Sequence, residues 1–256
     1  LRTLRNLRAT VAGFYQDRVL LFRIDPRLSR YTGERVPDLY RELQDAYAGL
    51  PGGVDVSFAR HALLTGGERA SGVLVVGEED GEEAGALVNP VGPGFFETLR
   101  IPLRSGRSIE ERDDERSRGV VVVNEAFVRE RLGGEEALGR TLRVSGVDWE
   151  IVGVASDAQY HSLREPPEPT VYIPFLHSER GQASFAIRTA GDPSRLAGPV
   201  RRATRRIDSS LSIFDLATQR EAVAGTLGQE RVMATTTSAF GLLALLLAMI
   251  GVYGVV

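Results

Sequence analysis

Hydrophobic positions in this chain switch twice from the period of a strand to the period of a helix and back. Val19–Ile24 is an almost unbroken apolar run, which predicts a strand ended by Asp25-Pro26. Val36, Leu39, Tyr40, Leu43, Ala46, Tyr47 and Leu50 then fall at i, i+3, i+4 and i+7, one face of a helix stopped by Pro51-Gly52-Gly53. Val54, Val56 and Phe58 alternate with Asp55 and Ser57, a half-buried strand. The same order returns near the other end. Phe185 and Ile187 share one face of a strand at Ala183–Arg188. Asp192 suits the N-cap and Pro193 the first turn of a helix with Leu196, Val200, Ala203 and Ile207 in its stripe, and Leu211–Phe214 is the next strand. Two β-α-β halves of this kind predict one split, ferredoxin-like layer. The segment from about His61 to Gly181 then becomes an insertion with its own core.

The insertion is rich in strand patterns. Runs at Gly72–Gly77, Ala86–Val91, Gly119–Val123, Thr141–Val144, Trp149–Val154 and Thr170–Ile173 are strand candidates. Short helices are expected at Pro93–Leu99 and Glu125–Leu132, the second capped by Asn124. The densest pattern, Asn89 to Asp157, opens with NPVGPGFF. Its glycines do not make G-x-G-x-x-G and Pro93 interrupts them, so turn and close-packing roles are expected. EEDGEE at Glu78–Glu83 and EERDDERSR at Glu110–Arg118 read as solvated loops, and the first lacks the spacing of a calcium loop.

Both ends suggest a membrane. Leu1, Leu4, Leu7, Val11 and Phe14 have helical spacing with arginines between them. Three arginines beside a span favour the cytoplasmic side, but large domains translocate largely regardless of charge. Thr218 and Glu221 have capping-box spacing and mark a helix start from about Gln219. No charge follows from Val232 to Val256, an apolar run long enough to cross a bilayer core about 30 Å thick. A buried core helix is the alternative, but such helices are usually shorter. These features predict a piece of a larger membrane protein.

Composition excludes more chemistry than it suggests. All 31 basic residues are arginine, so no Walker-A lysine, Schiff-base lysine or Ser-x-x-Lys dyad is available. The chain has no cysteine, which removes thiol catalysis and thiolate metal sites. A formal net charge of -3 gives no electrostatic case for nucleic acid. His61, His161 and His177 have no metal-ligand spacing. Asp157, Tyr160 and His161 cluster after a strand but lack a nucleophile, so a polar loop is expected. Trp149 is expected in the core. No residue is assigned a catalytic, cofactor-binding or metal-binding role.

NPVGPGFFETLRIPLRSGR, VVVVNEAFVRERLGGEEALGRTLRV, WEIVGVASD and PTVYIPF together resemble the extracytoplasmic core domain of MacB-type ABC transporter permeases. SAFGLLALLLAMIGVYGVV resembles the start of the FtsX-like permease segment that follows it. The resemblance implies an α+β fold: a split ferredoxin-like (porter-like) subdomain from 15–60 and 182–217, with an inserted mostly-β subdomain at 61–181. Stalk helices at 1–14 and 218–231 and a transmembrane helix at 232–256 would flank it. It further implies a non-catalytic part standing outside the bacterial inner membrane, with membrane lipid around its spans. The implied partners are a cognate cytoplasmic ABC ATPase and a homodimer mate or paired permease module, with a periplasmic adaptor and outer-membrane conduit in some layouts. ATP-driven closure below the membrane would be transmitted outward. A membrane-tethered ligand-binding or sensor module without an ATPase is the alternative, and an anchored enzyme has the least support.

Overall fold

The structure, a computed structural model, describes residues 17–33, 35–63, 69–76, 84–159, 166–178 and 181–222. The expected helix at 1–14, most of that at 218–231, the span at 232–256, the Glu78–Glu83 loop, Tyr160 and His161 lie outside them. Among the described residues no helix is long and apolar enough to cross a membrane.

The elements run β1 (Val19–Ile24), α1 (Arg35–Ala48), β2 (Gly53–Ala59), β3 (Arg69–Val75), β4 (Ala84–Val91), α2 (Phe95–Leu99), β5 (Leu103–Gly106) and β6 (Val120–Asn124). They continue with α3 (Glu125–Arg131), β7 (Thr141–Val144), β8 (Val147–Ala155), β9 (Thr170–Pro174), α4 (Phe175–Ser178), β10 (Ala183–Thr189), α5 (Ala197–Ile207) and β11 (Ile213–Thr218). The fold is mixed α+β, with all eleven strands in one connected sheet.

At one end of that sheet the order is β11-β1-β10-β2, every neighbour antiparallel. Strands of the first and second β-α-β halves therefore interleave. The apolar run of β1 is explained by cover on both faces. Leu20, Phe22 and Ile24 join Tyr40, Tyr47, Phe58 and Phe185 in a core under α1 and α5. Val19 and Leu21 point the other way, into a second core. In the first core Phe22 stacks on Phe185 with centroids 5.4 Å apart, and Tyr47 meets Phe22 edge-on at 5.2 Å. The Tyr47 hydroxyl, pushed well above the ordinary phenol range by burial, hydrogen-bonds Thr204 Oγ1 at 2.7 Å and locks α1 to α5.

The strands from the middle of the chain follow the order β4-β3-β7-β8-β6-β9, and β9 then pairs back to β4 in parallel, from Leu87↔Thr170 to Val91↔Pro174. That last pairing closes a six-stranded ring, which removes free strand edges from it. Val121, Val123, Phe127, Leu142, Val144, Trp149, Ile151 and Val171 form a core of their own. Asn124 caps α3 as its spacing predicts, accepting from Phe127 N at 2.9 Å. It also accepts from Thr170 N and donates to Glu168 O, so one buried amide fixes both a helix start and the strand that follows Pro166-Pro167-Glu168-Pro169.

The structure departs from the sequence expectations at several points. β5 is an additional strand; it is exposed and short, so it leaves no alternating pattern. β11 runs to Thr218 rather than ending at Phe214, because Asp215 at φ 50 bulges the edge and pairing with β1 resumes beyond it. The loop at 110–118 is more than a solvated segment. Asp113 is buried and takes two bonds from Arg107 at 2.6 and 2.9 Å, plus one from the Glu110 amide. Asp114 reaches Arg41 on α1 at 3.4 Å.

Candidate functional site

The region that organises the molecule is the join between the interleaved sheet and the closed ring. β2 touches β4 through a single register pair, Ala59↔Val91. Around it, Gly92 N donates to Phe58 O at 2.6 Å and Arg60 N to Pro90 O at 2.8 Å. Asn89, fully buried on β4, then extends the ladder with its side chain. Its Oδ1 accepts from His61 N and its Nδ2 donates to His61 O, both at 3.0 Å. The amide stands in for one more strand residue where the chain has already turned away. Gly92 is required here, since a Cβ would lie 2.9 Å from the Phe58 ring. Gly94 sits at φ 74 and turns the chain into α2. Both glycines thus serve close packing and turning, as NPVGPGFF suggests.

α2 crosses from the ring onto the open face of the interleaved sheet. Phe95, Phe96 and Leu99 pack with Val19, Leu21, Ala59 and Ala186 in a core shared by both parts. Arg188, only 4% exposed, lies beneath this crossing on β10. Its Nε donates to the Thr98 carbonyl in α2, and its Nη1 donates to Asp17 O at 3.0 Å, where the chain comes into β1. Burial, with Arg100 nearby, pulls its guanidinium down to about 10, so it stays charged at neutral pH. A buried cation that bonds two carbonyls on different elements is a fixed link between them.

The place where the chain leaves the domain is adjacent. β1 and β11 are neighbours, with Leu20 opposite Thr218. Gln219, buried just after β11, donates to Leu63 O at 3.2 Å, and Arg220 approaches Asp17 at 4.0 Å. Two buried oxygens here, Thr98 Oγ1 and Gln219 Oε1, have no hydrogen-bond partner among the described residues. The capping box forms as its spacing predicts: Glu221 N donates to Thr218 Oγ1 at 3.2 Å, and Thr218 N donates back to Glu221 at 2.8 Å.

The Thr218 amide and hydroxyl hold the Glu221 carboxyl below its ordinary value. The folded protein therefore favours the ionised acid, and the stabilisation is complete above the ordinary glutamate range and lost as pH falls through the folded value. A carboxyl titration by NMR should give Glu221 a midpoint below about 4.3, rising on Thr218→Val. A midpoint at or above that value in the unmodified protein would mean the box does not form in solution.

The described residues among those flagged for chemistry, Asp157, His61 and His177, lie in three separate settings. Asp157 serves structure: it accepts from Ala126 N at 2.7 Å at the start of α3, and burial raises its carboxyl above the ordinary range. His177 meets the Trp149 ring at 4.8 Å, and Trp149 is in the core. His61 contributes backbone to the Asn89 pair. Among the described residues no group of three or more His, Asp or Glu is placed to hold a metal. The sequence does not single out Arg188, and it marks Gln219 only as a helix start. Arg188 shares a strand face with Ala186, which reads as solvent-facing until α2 is known to cover it.

A family model described as the MacB-like periplasmic core domain matches residues 4–240. The chain is similar to the macrolide export ATP-binding/permease protein MacB of Aggregatibacter actinomycetemcomitans, 30% identical over 38% of this chain and 15% of that protein. It is also similar to MacB 1/2 of Paracoccus denitrificans, 27% identical over 68% of this chain and 25% of that protein. The matched chain thus spans a quarter or less of the length of these relatives. Among solved structures, the periplasmic region of MacB from Actinobacillus actinomycetemcomitans aligns with a TM-score of 0.56 at 18% identity, over 89% of this chain and 98% of that one. The extracellular domain of the transporter YknZ from Gram-positive bacteria aligns at 0.50 with 11% identity, over 77% of this chain and 100% of that one. At these identities the structural matches speak for the fold.

Proposed function

The chain belongs to the MacB-like periplasmic core domain family of ABC transporter permeases, and from that premise we propose that it carries ATP-driven movement outward from the membrane to export or handle substrates on the outer side. The domain carries out no chemistry in this reading. Hydrolysis belongs to a cognate cytoplasmic ATPase, and the protein stands in the bacterial inner membrane as a homodimer or paired permease module. In layouts that engage them, a periplasmic adaptor and an outer-membrane conduit are further partners of the assembly. Residues 15–60 with 182–217 form the porter-like part, 61–181 the inserted part, 1–14 and 218–231 the stalks, and 232–256 the span.

One observation carries the reading. The first and last strands of the domain are hydrogen-bonded neighbours, so the segments before Asp17 and after Thr218 meet the domain at one point. A displacement of those segments acts directly on β1 and β11. From there Arg188 and Gln219 carry it to α2 and to Leu63. A flexible Gly-Ser insertion between Thr218 and Arg231 is expected to leave ATP hydrolysis running and to abolish export by the whole transporter. Undiminished export with the insertion in place and the domain folded would sink the proposal.

A further inference from the structure

Two neighbouring aspartates in the loop at 110–118 are held in different ways. Asp113 is buried, takes both prongs of Arg107 at 2.6 and 2.9 Å, and accepts from the Glu110 amide as well. Ile109, just before the loop, is buried in the core that α2 shares. Further along, Ser117 N and Oγ both donate to Asp114 O, and Arg116 N donates to Asp114 Oδ1 at 2.9 Å. The loop thus keeps its shape by its own bonds. Its contact with α1 is of another kind. Arg41 Nη2 donates to Asp114 Oδ2 by one prong at 3.4 Å, longer than a tight charged pair at about 2.7–2.9 Å. The two side chains keep 29% and 22% of their surface exposed. Each also has a partner within its own element: Arg41 Nη1 donates to Asp38 at 2.9 Å, and Asp114 Oδ1 keeps Arg116 N. Opening the contact therefore strands no buried charge, which is what makes breaking an ion pair costly. Breaking Arg107–Asp113 would strand one.

The position of this contact gives it a use. α1 and α2 lie on opposite faces of the interleaved sheet. Between them the ring meets β2 through the single pair Ala59↔Val91. Gln44, one turn along α1 from Arg41, donates to Val56 O and Pro93 O and so spans that junction. Phe175 packs beside it on Phe58 and Tyr40.

We propose that the Arg41–Asp114 contact is a releasable latch. Closed, it seats the ring against α1. Open, it lets the ring turn about the β2–β4 junction when α2 is pushed from the opposite face. One register pair resists such a turn far less than a full ladder would, and hinges are built from a few positions of this kind. The push on α2 rests on the function proposed above; the geometry of the latch does not. Asp113 and Asp114 divide the work: the first fixes the shape of the loop, the second decides whether it is docked.

The test uses the whole transporter in its membrane, freed of any other cysteine; this chain has none. Arg41→Cys and Asp114→Cys are combined and bridged with a short bis-methanethiosulfonate, a link that a reducing agent removes. The bridged transporter should still hydrolyse ATP but lose export, and reduction should restore export. Before bridging, the same double variant should export near the wild-type level, because the latch sets a resting position and carries no load. Each single variant treated with the reagent should do the same. The bridging yield should also differ several-fold between transporter without nucleotide and transporter trapped with ATP and vanadate. Normal export by the bridged protein would overturn the latch, as would equal yields in the two states. Loss of export by a folded, unbridged double variant would make the pair a fixed strut and overturn it too. The bridging yield is read without export, and the stalk insertion alone decides the wider function, so the two failures are told apart.

Discussion

Gly153→Ala is expected to destabilise the protein by at least about 3 kcal/mol. Gly153 on β8 faces Gly106 on β5 across one register pair. A Cβ at 153 would sit 2.2 Å from the Arg107 carbonyl oxygen, and one at 106 would sit 2.1 Å from the Val152 carbonyl oxygen. The obstacle in both cases is backbone, which cannot rotate away. β8 cannot retreat either, since it pairs with β6 on one side and β7 on the other. Gly106 also sits at φ 72, where an alanine is strained without any clash. For a chain of this size, about 3 kcal/mol lowers the melting temperature by roughly 6–12 °C. Gly191→Ala is the control. Its Cβ would meet nothing within 4 Å, so stability should hold or rise slightly. Trp149, the chain's one tryptophan and buried in the ring core, supplies the fluorescence signal for a urea titration. A loss below about 1 kcal/mol for Gly153→Ala would show that the strands separate more easily than their pairing implies.

These two glycines also show where sequence reasoning stops. What depends on neighbours in the chain was legible. The helical period of α1 followed from Val36, Leu39, Tyr40 and Leu43. The caps at Asn124, Asp192 and Thr218–Glu221 are chemistry within three residues, and each appears in the structure. What depends on distant partners was not legible. Nothing in TVYIP states that it closes a ring by lying parallel to LVNPV. Gly106 and Gly153 look like ordinary turn and strand glycines until β5 is set against β8. The loop at 110–118 reads as solvated because its charges are dense, yet Asp113 is drawn inward to Arg107. The junction was hidden for the same reason. Asn89 looks like a break in an apolar strand and Arg188 like a solvent-facing strand end. Both are buried because a part of the chain remote in sequence covers them.

On the function proposed above, Arg188→Met is expected to cut export strongly while changing global stability by at most about 2 kcal/mol. Two terms oppose each other in stability. The substitution leaves the carbonyls of Thr98 and Asp17 without their cationic donor, and each such bond is worth about 1.5–3 kcal/mol. It also removes a buried charge whose desolvation costs several kcal/mol. Methionine keeps the apolar stem packed under α2, so no large cavity opens. The terms nearly cancel in folding, but only one of them matters to coupling. Without the guanidinium, no side chain at position 188 joins the start of β1 to α2, and a displacement at Asp17 loses its direct polar link to that helix. Couplings of this kind are typically 1–3 kcal/mol, which corresponds to a 5–150-fold loss of export at unchanged ATP hydrolysis. Arg188→Lys keeps the charge but replaces a two-pronged donor with a single ammonium, and should fall between the two. Stability of the variant by urea titration separates the readings: a protein that unfolds early has lost a strut, and one that stays folded but idles has lost its link. Wild-type export by a stably folded Arg188→Met protein would remove Arg188 from the path and leave Gln219, the β2–β4 junction and the shared apolar core as the routes of transmission.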